Sequence, residues 1–168
     1  MNKIRKVTAF VLLVLMCSSA FAGLGSNQSL YVGGTAPLPK DAQGIIDTKD
    51  EKRMIFSAGK DKDGKDQLLA VPYDKIVGLA YGQHAGRRVG ATVALGVTTL
   101  GIGALPMLFS KKRRHYLTVE YTDGDGKNQA AIFEVGKDAI RTTLKSLEVR
   151  SGKKVEFEDD EAKKAGNK

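Results

Sequence analysis

The chain has 168 residues, of which 27 are basic and 19 acidic, for a formal net charge of +8. This length allows one domain of ordinary size with accessory segments, enough to bury a core. The single cysteine, Cys17, excludes a disulfide framework within the chain.

Residues 1–22 have the pattern of a cleaved secretory signal peptide. A basic start precedes the apolar run Val7 to Met16, and Ala20-Phe21-Ala22 provides a small-x-small cleavage site. An uncleaved anchor is the weaker alternative, because the apolar run is about half of the roughly 20 residues that a span needs. Cys17 follows Met16 rather than a small residue, which argues against a lipoprotein. We therefore expect an exported bacterial protein, periplasmic or associated with an envelope membrane, whose mature part lacks cysteine.

Residues 23–42 are predicted to form a linker with one strand at Ser29 to Val32, because Ala36-Pro37-Leu38-Pro39 favours extended, poorly packed backbone. Residues 43–158 are predicted to form the domain, and the charged residues 159–168 a disordered tail. Period-two alternation and turn residues predict the strands of the domain. These are Gly44–Asp47, Arg53–Ala58, Gln67–Val71, Ile76–Tyr81, Tyr116–Tyr121, a strand through Ala131, Phe133 and Val135, and a last strand at Val155–Phe157.

One helix is predicted from Asp138 to Arg150. Ile140, Leu144 and Leu147 share one face of it, and Gly152 can end it. Several short strands followed by one helix predict an α+β fold that is mainly β. We expect a bent antiparallel sheet or small barrel, capped by this C-terminal helix.

The opening strands carry a family resemblance. The runs Gly44-Ile-Ile-Asp47, Met54-Ile-Phe56 and Leu68 to Leu79, with Val71-Pro72 leading to Ile76, are similar to the first strands of pleckstrin-homology-like and GRAM domains. The resemblance implies that the hairpin from Tyr116 to Val135 and the following helix are the later strands and capping helix of that fold. It covers about two thirds of the mature chain and departs from the family pattern at an apolar insertion, residues 86–110.

The core of this insertion is Val89 to Phe109, 21 residues without a charge. As a helix it would reach roughly 31 Å, close to the hydrocarbon thickness of a bilayer. Four alternatives are open: a single transmembrane span, a monotopic or re-entrant helical hairpin, a segment buried against its own sheet or in an oligomer interface, and a loop. A single span would separate the two halves of the predicted sheet, which favours the hairpin.

Two groups of residues in and around the insertion are candidate functional residues. Basic flanks suit anionic lipid headgroups, and they are Arg87, Arg88, Lys111, Lys112, Arg113 and Arg114. Small residues every four positions allow close helix packing, and a hairpin would break near the proline. The predicted inserting or self-associating residues are Gly86, Gly90, Ala94, Thr98, Leu105, Pro106 and Phe109.

Other chemistry is weakly indicated. The loop Gly59 to Lys65 is followed by Asp66 where a phosphate loop needs Ser or Thr, so it is interpreted as a hairpin turn. The turn Asp123 to Gly126 begins like a calcium loop but continues with Lys127 at a ligand position. His84 and His115 lack spaced metal-ligand partners. We expect a protein that is not an enzyme and that has no metal, cofactor or nucleic-acid partner, and the sequence identifies no small-molecule substrate.

The sequence therefore predicts a binding or scaffolding protein at a membrane surface, with membrane lipid as its partner. The alternative is a structural subunit that self-associates as a homo-oligomer through the glycine-spaced segment 86–103.

Overall fold

A computed structural model describes residues 24–60, 64, 66–83, 114–157 and 160–167, which form an α+β fold that is mainly β. The strands are β1 (Ser29–Gly34), β2 (Gln43–Asp47), β3 (Arg53–Lys60), β4 (Asp66–Pro72), β5 (Ile76–Gly82), β6 (His115–Thr122), β7 (Asn128–Val135) and β8 (Val155–Phe157). The helices are α1 (Ile140–Ser151) and α2 (Asp160–Asn167), and a single 3-10 turn, Tyr73–Lys75, joins β4 to β5.

The eight strands form one sheet in the order β4-β3-β2-β1-β7-β6-β5-β8. All neighbours are antiparallel except β5 and β8, which are parallel. Strands β2 to β4 and strands β5 to β7 are two meanders of consecutive strands. Strand β1 lies between them and joins them into one sheet, with β2 on one side and β7 on the other.

The sheet is strongly bent. Phe56 on β3 and Phe133 on β7 are three strands apart, which in a flat sheet is roughly 14 Å at about 4.8 Å per strand. Their ring centroids are 4.9 Å apart, and Tyr31 on β1 contacts Phe133 edge-on at 5.8 Å. The two meanders therefore face each other across a shared core. Large apolar side chains of both meanders are buried there, away from water.

The predicted strands are confirmed, with ends that differ by at most three residues. Alternation predicted them well because each strand turns one face to the core. On β6, Leu117, Val119 and Tyr121 point inward, as predicted.

The prediction of a linker at 23–42 is wrong, although its strand at Ser29 to Val32 is confirmed within β1. Tyr31 and Val32 are buried, and the Tyr31 hydroxyl donates to the carbonyl oxygen of Ala36 at 3.2 Å. The Pro-containing segment lies against the core, since Ala36 and Ala42 are also buried. Residues 29–42 are thus part of the domain.

Helix α1 is confirmed with the predicted buried face of Ile140, Leu144 and Leu147, to which Thr143 is added. It ends at Gly152, which has the left-handed φ of 68° and donates its backbone N–H to the carbonyl oxygen of Glu148. A glycine adopts this conformation without the steric cost that a side chain would bring.

The prediction of a disordered tail at 159–168 is wrong, because residues 160–167 form α2. Ala162 is fully buried, and a Cβ on Gly166 would lie 2.7 Å from Phe157 and 3.5 Å from Leu144. Small residues of α2 therefore pack closely against β8 and α1. This packing keeps the charged C-terminal segment folded as a helix.

Candidate functional site at the base of the apolar insertion

The two ends of the segment that contains the insertion come together on neighbouring strands. Gly82, at the end of β5, is paired with Tyr116 near the start of antiparallel β6. Neighbouring strands are about 4.8 Å apart, whereas a single membrane span separates its ends by roughly 30 Å. The chain thus leaves and re-enters the sheet on neighbouring strands. The alternatives for Val89 to Phe109, the single span included, lie outside the described residues.

Most predicted site residues lie outside the described part of the chain, which omits residues 84–113. They are Arg87, Arg88, Lys111, Lys112 and Arg113 of the basic flanks, the insertion residues Gly86, Gly90, Ala94, Thr98, Leu105, Pro106 and Phe109, and His84. Arg114 and His115 are described. In the described part, neither helix is long and apolar enough to cross a membrane.

Arg114 forms an ion pair at the base of the insertion. Its Nη1 donates to Oε2 of Glu134 on β7 at 2.6 Å, and this hydrogen bond raises the pKa of Arg114. The Glu134 side chain is only 9% exposed, while that of Arg114 is 42% exposed. The Arg114 guanidinium compensates the negative charge of a nearly buried carboxylate. Arg114 therefore has a fixed partner in the protein, unlike a basic side chain that is only solvated.

His115 is fixed from the core side. The hydroxyl of Tyr81, which is 1% exposed, lies 2.6 Å from Nδ1 of His115, and the two rings are stacked with centroids 6.0 Å apart. Phe157 contacts the same Tyr81 ring edge-on. In the neutral imidazole with its proton on Nε2, the Tyr81 hydroxyl donates to Nδ1. Tyr81, the last inward-facing residue of β5, therefore fixes the position of the His115 ring at the start of β6.

Two further cations lie near this point. Burial lowers the pKa of His115, and the charges of Arg141 and Lys137 lower it further, against an opposing effect of Glu134. Strand register agrees, because His115 is paired with Val135, two residues before Lys137. We call Tyr81, Arg114, His115 and Glu134 the insertion base.

Glu134, Tyr81, Lys137 and Arg141 were not predicted as site residues. A signal for Glu134 exists in the sequence, since the turn at Asp123 to Gly126 sets the register in which Tyr116 is paired with Glu134. This register makes Arg114 a diagonal neighbour of Glu134. The electrostatic effect of Arg141 on His115 depends instead on how α1 packs, which no local pattern reveals.

The turn from Asp123 to Gly126 has a structural role. Oδ1 of Asp123 accepts the backbone N–H groups of Asp125 and Lys127, and Oδ2 accepts Nε2 of Gln129 at 2.7 Å. These hydrogen bonds lower the pKa of Asp123. Both carboxylate oxygens of Asp123 thus stabilise the turn of the β6–β7 hairpin. Among the described residues, no group of three or more His, Cys, Asp or Glu side chains is placed to hold a metal ion.

No protein-family model matches the chain, and no curated protein sequence is significantly similar to it.

Proposed function

We propose that this protein is a non-enzymatic, exported envelope protein that binds or scaffolds at a membrane surface through its apolar insertion. The observation that carries the proposal is the pairing of Gly82 with Tyr116, which brings together the two ends of the segment that contains the uncharged stretch. A hairpin that enters one leaflet satisfies this geometry and leaves the sheet intact in water. The basic flanks would then meet the headgroups.

The proposed headgroup contacts are Arg87, Arg88 and the run Lys111 to Arg113. Each basic side chain near an anionic surface is worth about 1 kcal/mol. Arg114 contributes less to this attraction, because Glu134 already compensates its charge.

We further propose that the domain is pleckstrin-homology-like. Support comes from two antiparallel meanders, their connection through β1, and α1 packed on the core after the last antiparallel strand. These agree with what the resemblance of the opening strands implies.

The test is membrane fractionation with a carbonate wash, applied to the wild-type protein and to a variant in which a four-residue Gly/Asn turn replaces residues 84–113. Antiparallel neighbours accept such a turn, so the variant should keep its β-rich circular dichroism spectrum. Wild type should stay in the washed membrane, and the variant should be released.

Release of wild type by the wash would contradict membrane insertion. Chemical crosslinking of that released protein to a discrete multimer in lipid-free buffer would then favour the alternative, a structural subunit that self-associates through residues 86–103.

A further inference from the structure

Helix α1 runs along the domain away from the insertion base. Its start lies there, because Lys137 follows β7 directly where Val135 is paired with His115. Its last turn lies at the far end of β5, since Arg150 Nη1 donates to the carbonyl oxygen of Asp50 at 3.0 Å and its guanidinium lies 5.6 Å from the Tyr73 ring centre. The first half of α1 is therefore the half closest to the insertion.

The outward face of α1 is basic and aliphatic. Arg141, Lys145 and Val149 recur every four residues and are exposed, Val149 to 76%. They border a shallow open groove along the helix, together with Thr142, Ser146 and Arg150. Residues at this spacing share one helix face, so two cations lie in line with an exposed side chain that water solvates poorly.

Charge along this segment is unbalanced. Residues 137–154 contain six basic and two acidic side chains, Asp138 and Glu148. Glu148 is occupied locally, since its Oε1 accepts the backbone N–H of Val155 at 2.8 Å. The acidic Glu156 lies instead near Glu120, whose pKa its charge raises. The outward face of α1 thus presents mostly positive charge.

We infer that Lys137, Arg141 and Lys145 form a second contact with the anionic phospholipid surface, beside the flanks of the insertion. The inference rests on the proposed membrane attachment. Charge complementarity selects the occupant, because an anionic bilayer attracts the three cations at the start and in the first half of α1. A bilayer that held the insertion by its base would meet this half of α1 next, before the far end of the helix where Val149 and Arg150 lie.

The test compares the full-length variant Lys137→Gln/Lys145→Gln with the charge-matched control Lys153→Gln/Lys154→Gln. All four lysines are exposed, and the control pair follows the far end of α1. Arg141 is left intact because its Nε donates to the carbonyl oxygen of Ala165 in α2. Flotation with vesicles of 30% phosphatidylglycerol in phosphatidylcholine, and with pure phosphatidylcholine vesicles, measures binding.

We expect the Lys137/Lys145 variant to bind anionic vesicles at least about tenfold more weakly than wild type, since each cation near the surface accounts for about fivefold. The control should bind within about twofold, and raised salt should narrow the difference. Equal binding by the two variants would overturn the inference while leaving membrane attachment standing. Failure of wild type to float with either vesicle would overturn the attachment itself.

Discussion

Glu120 on β6 has a buried carboxylate oxygen, Oε1, that has no hydrogen-bond partner among the residues the structure describes. Burial raises the pKa of Glu120 above its ordinary value of 4.5, and the charge of Glu156 raises it further. The folded protein thus holds this proton more tightly than the unfolded chain does. The stabilising contribution of Glu120 is therefore fully present below pH 4.5 and is lost as pH rises through the folded-state pKa.

We expect Glu120→Gln to raise the free energy of unfolding at pH 7 by about 1 kcal/mol, because the amide removes a charge that burial disfavours. The variant should also lose the part of the fall in stability that Glu120 causes as pH rises above 4.5. Urea unfolding at several pH values measures both effects. Glu51→Gln, at an exposed glutamate, is the control. A parallel pH dependence in wild type and Glu120→Gln would assign the effect to another group.

Arg114 shows how far a single residue can be interpreted from its neighbours in the chain. In the sequence it is the last member of the run Lys111 to Arg114, and the run as a whole suits a lipid surface. In the fold it compensates Glu134, which lies on another strand. The register of the β6–β7 hairpin would have been sufficient to predict this pair, whereas Lys111, Lys112 and Arg113 lie outside the described residues.

Strand β2 approaches β3 so closely that only a glycine fits at one position. A Cβ on Gly44 would lie 2.2 Å from the backbone oxygen of Ser57 and 2.8 Å from the Cα of Ala58. These atoms belong to the backbone, so no flexible side chain can move aside. Gly44 is also paired with Ser29 of β1, at the place where the sheet passes from one meander to the other.

We expect Gly44→Ala to lower the free energy of unfolding by about 2 kcal/mol or more, because β2 and β3 must move apart. Gly124→Ala is the matched control, since a Cβ there meets no atom within 4 Å, and it should change stability by less than about 0.5 kcal/mol. Thermal unfolding measures both. Similar stabilities for the two variants would mean that the β2–β3 contact relaxes at little cost.

Periodicity predicted the elements that present one apolar face, and it failed where small residues do the packing. Strand β1 contains Gly33 and Gly34 and precedes two prolines, so its sequence resembles a linker. Its importance comes from Tyr31 meeting Phe133, a contact between residues about a hundred positions apart. Helix α2 buries Ala162 and fits Gly166 against Phe157, which a composition rule for charged tails does not anticipate.

For the whole molecule, the strand and helix patterns predicted the class of the fold and the hairpin from Tyr116 to Val135. The pairing of β1 with β7 was not predictable from local patterns, although it determines the order of the entire sheet. The place where the insertion leaves the sheet was implied by the predicted strands on its two sides. The pairing of β5 with β6 shows that the chain leaves and re-enters the sheet on two neighbouring strands.

The same pairing has a consequence for the order of folding. Pairing Gly82 with Tyr116 closes a loop of 33 residues, whereas the hairpin from Thr122 to Asn128 closes one of five. The longer loop costs about 2 kcal/mol more chain entropy. We expect β6 and β7 to gain amide protection before β5 in pulsed hydrogen exchange during refolding, and simultaneous protection would contradict this order. In the cell, Leu79 and Tyr81 would then join the core only after the β6–β7 hairpin has formed, which leaves time for the apolar segment to reach a membrane before β5 pairs.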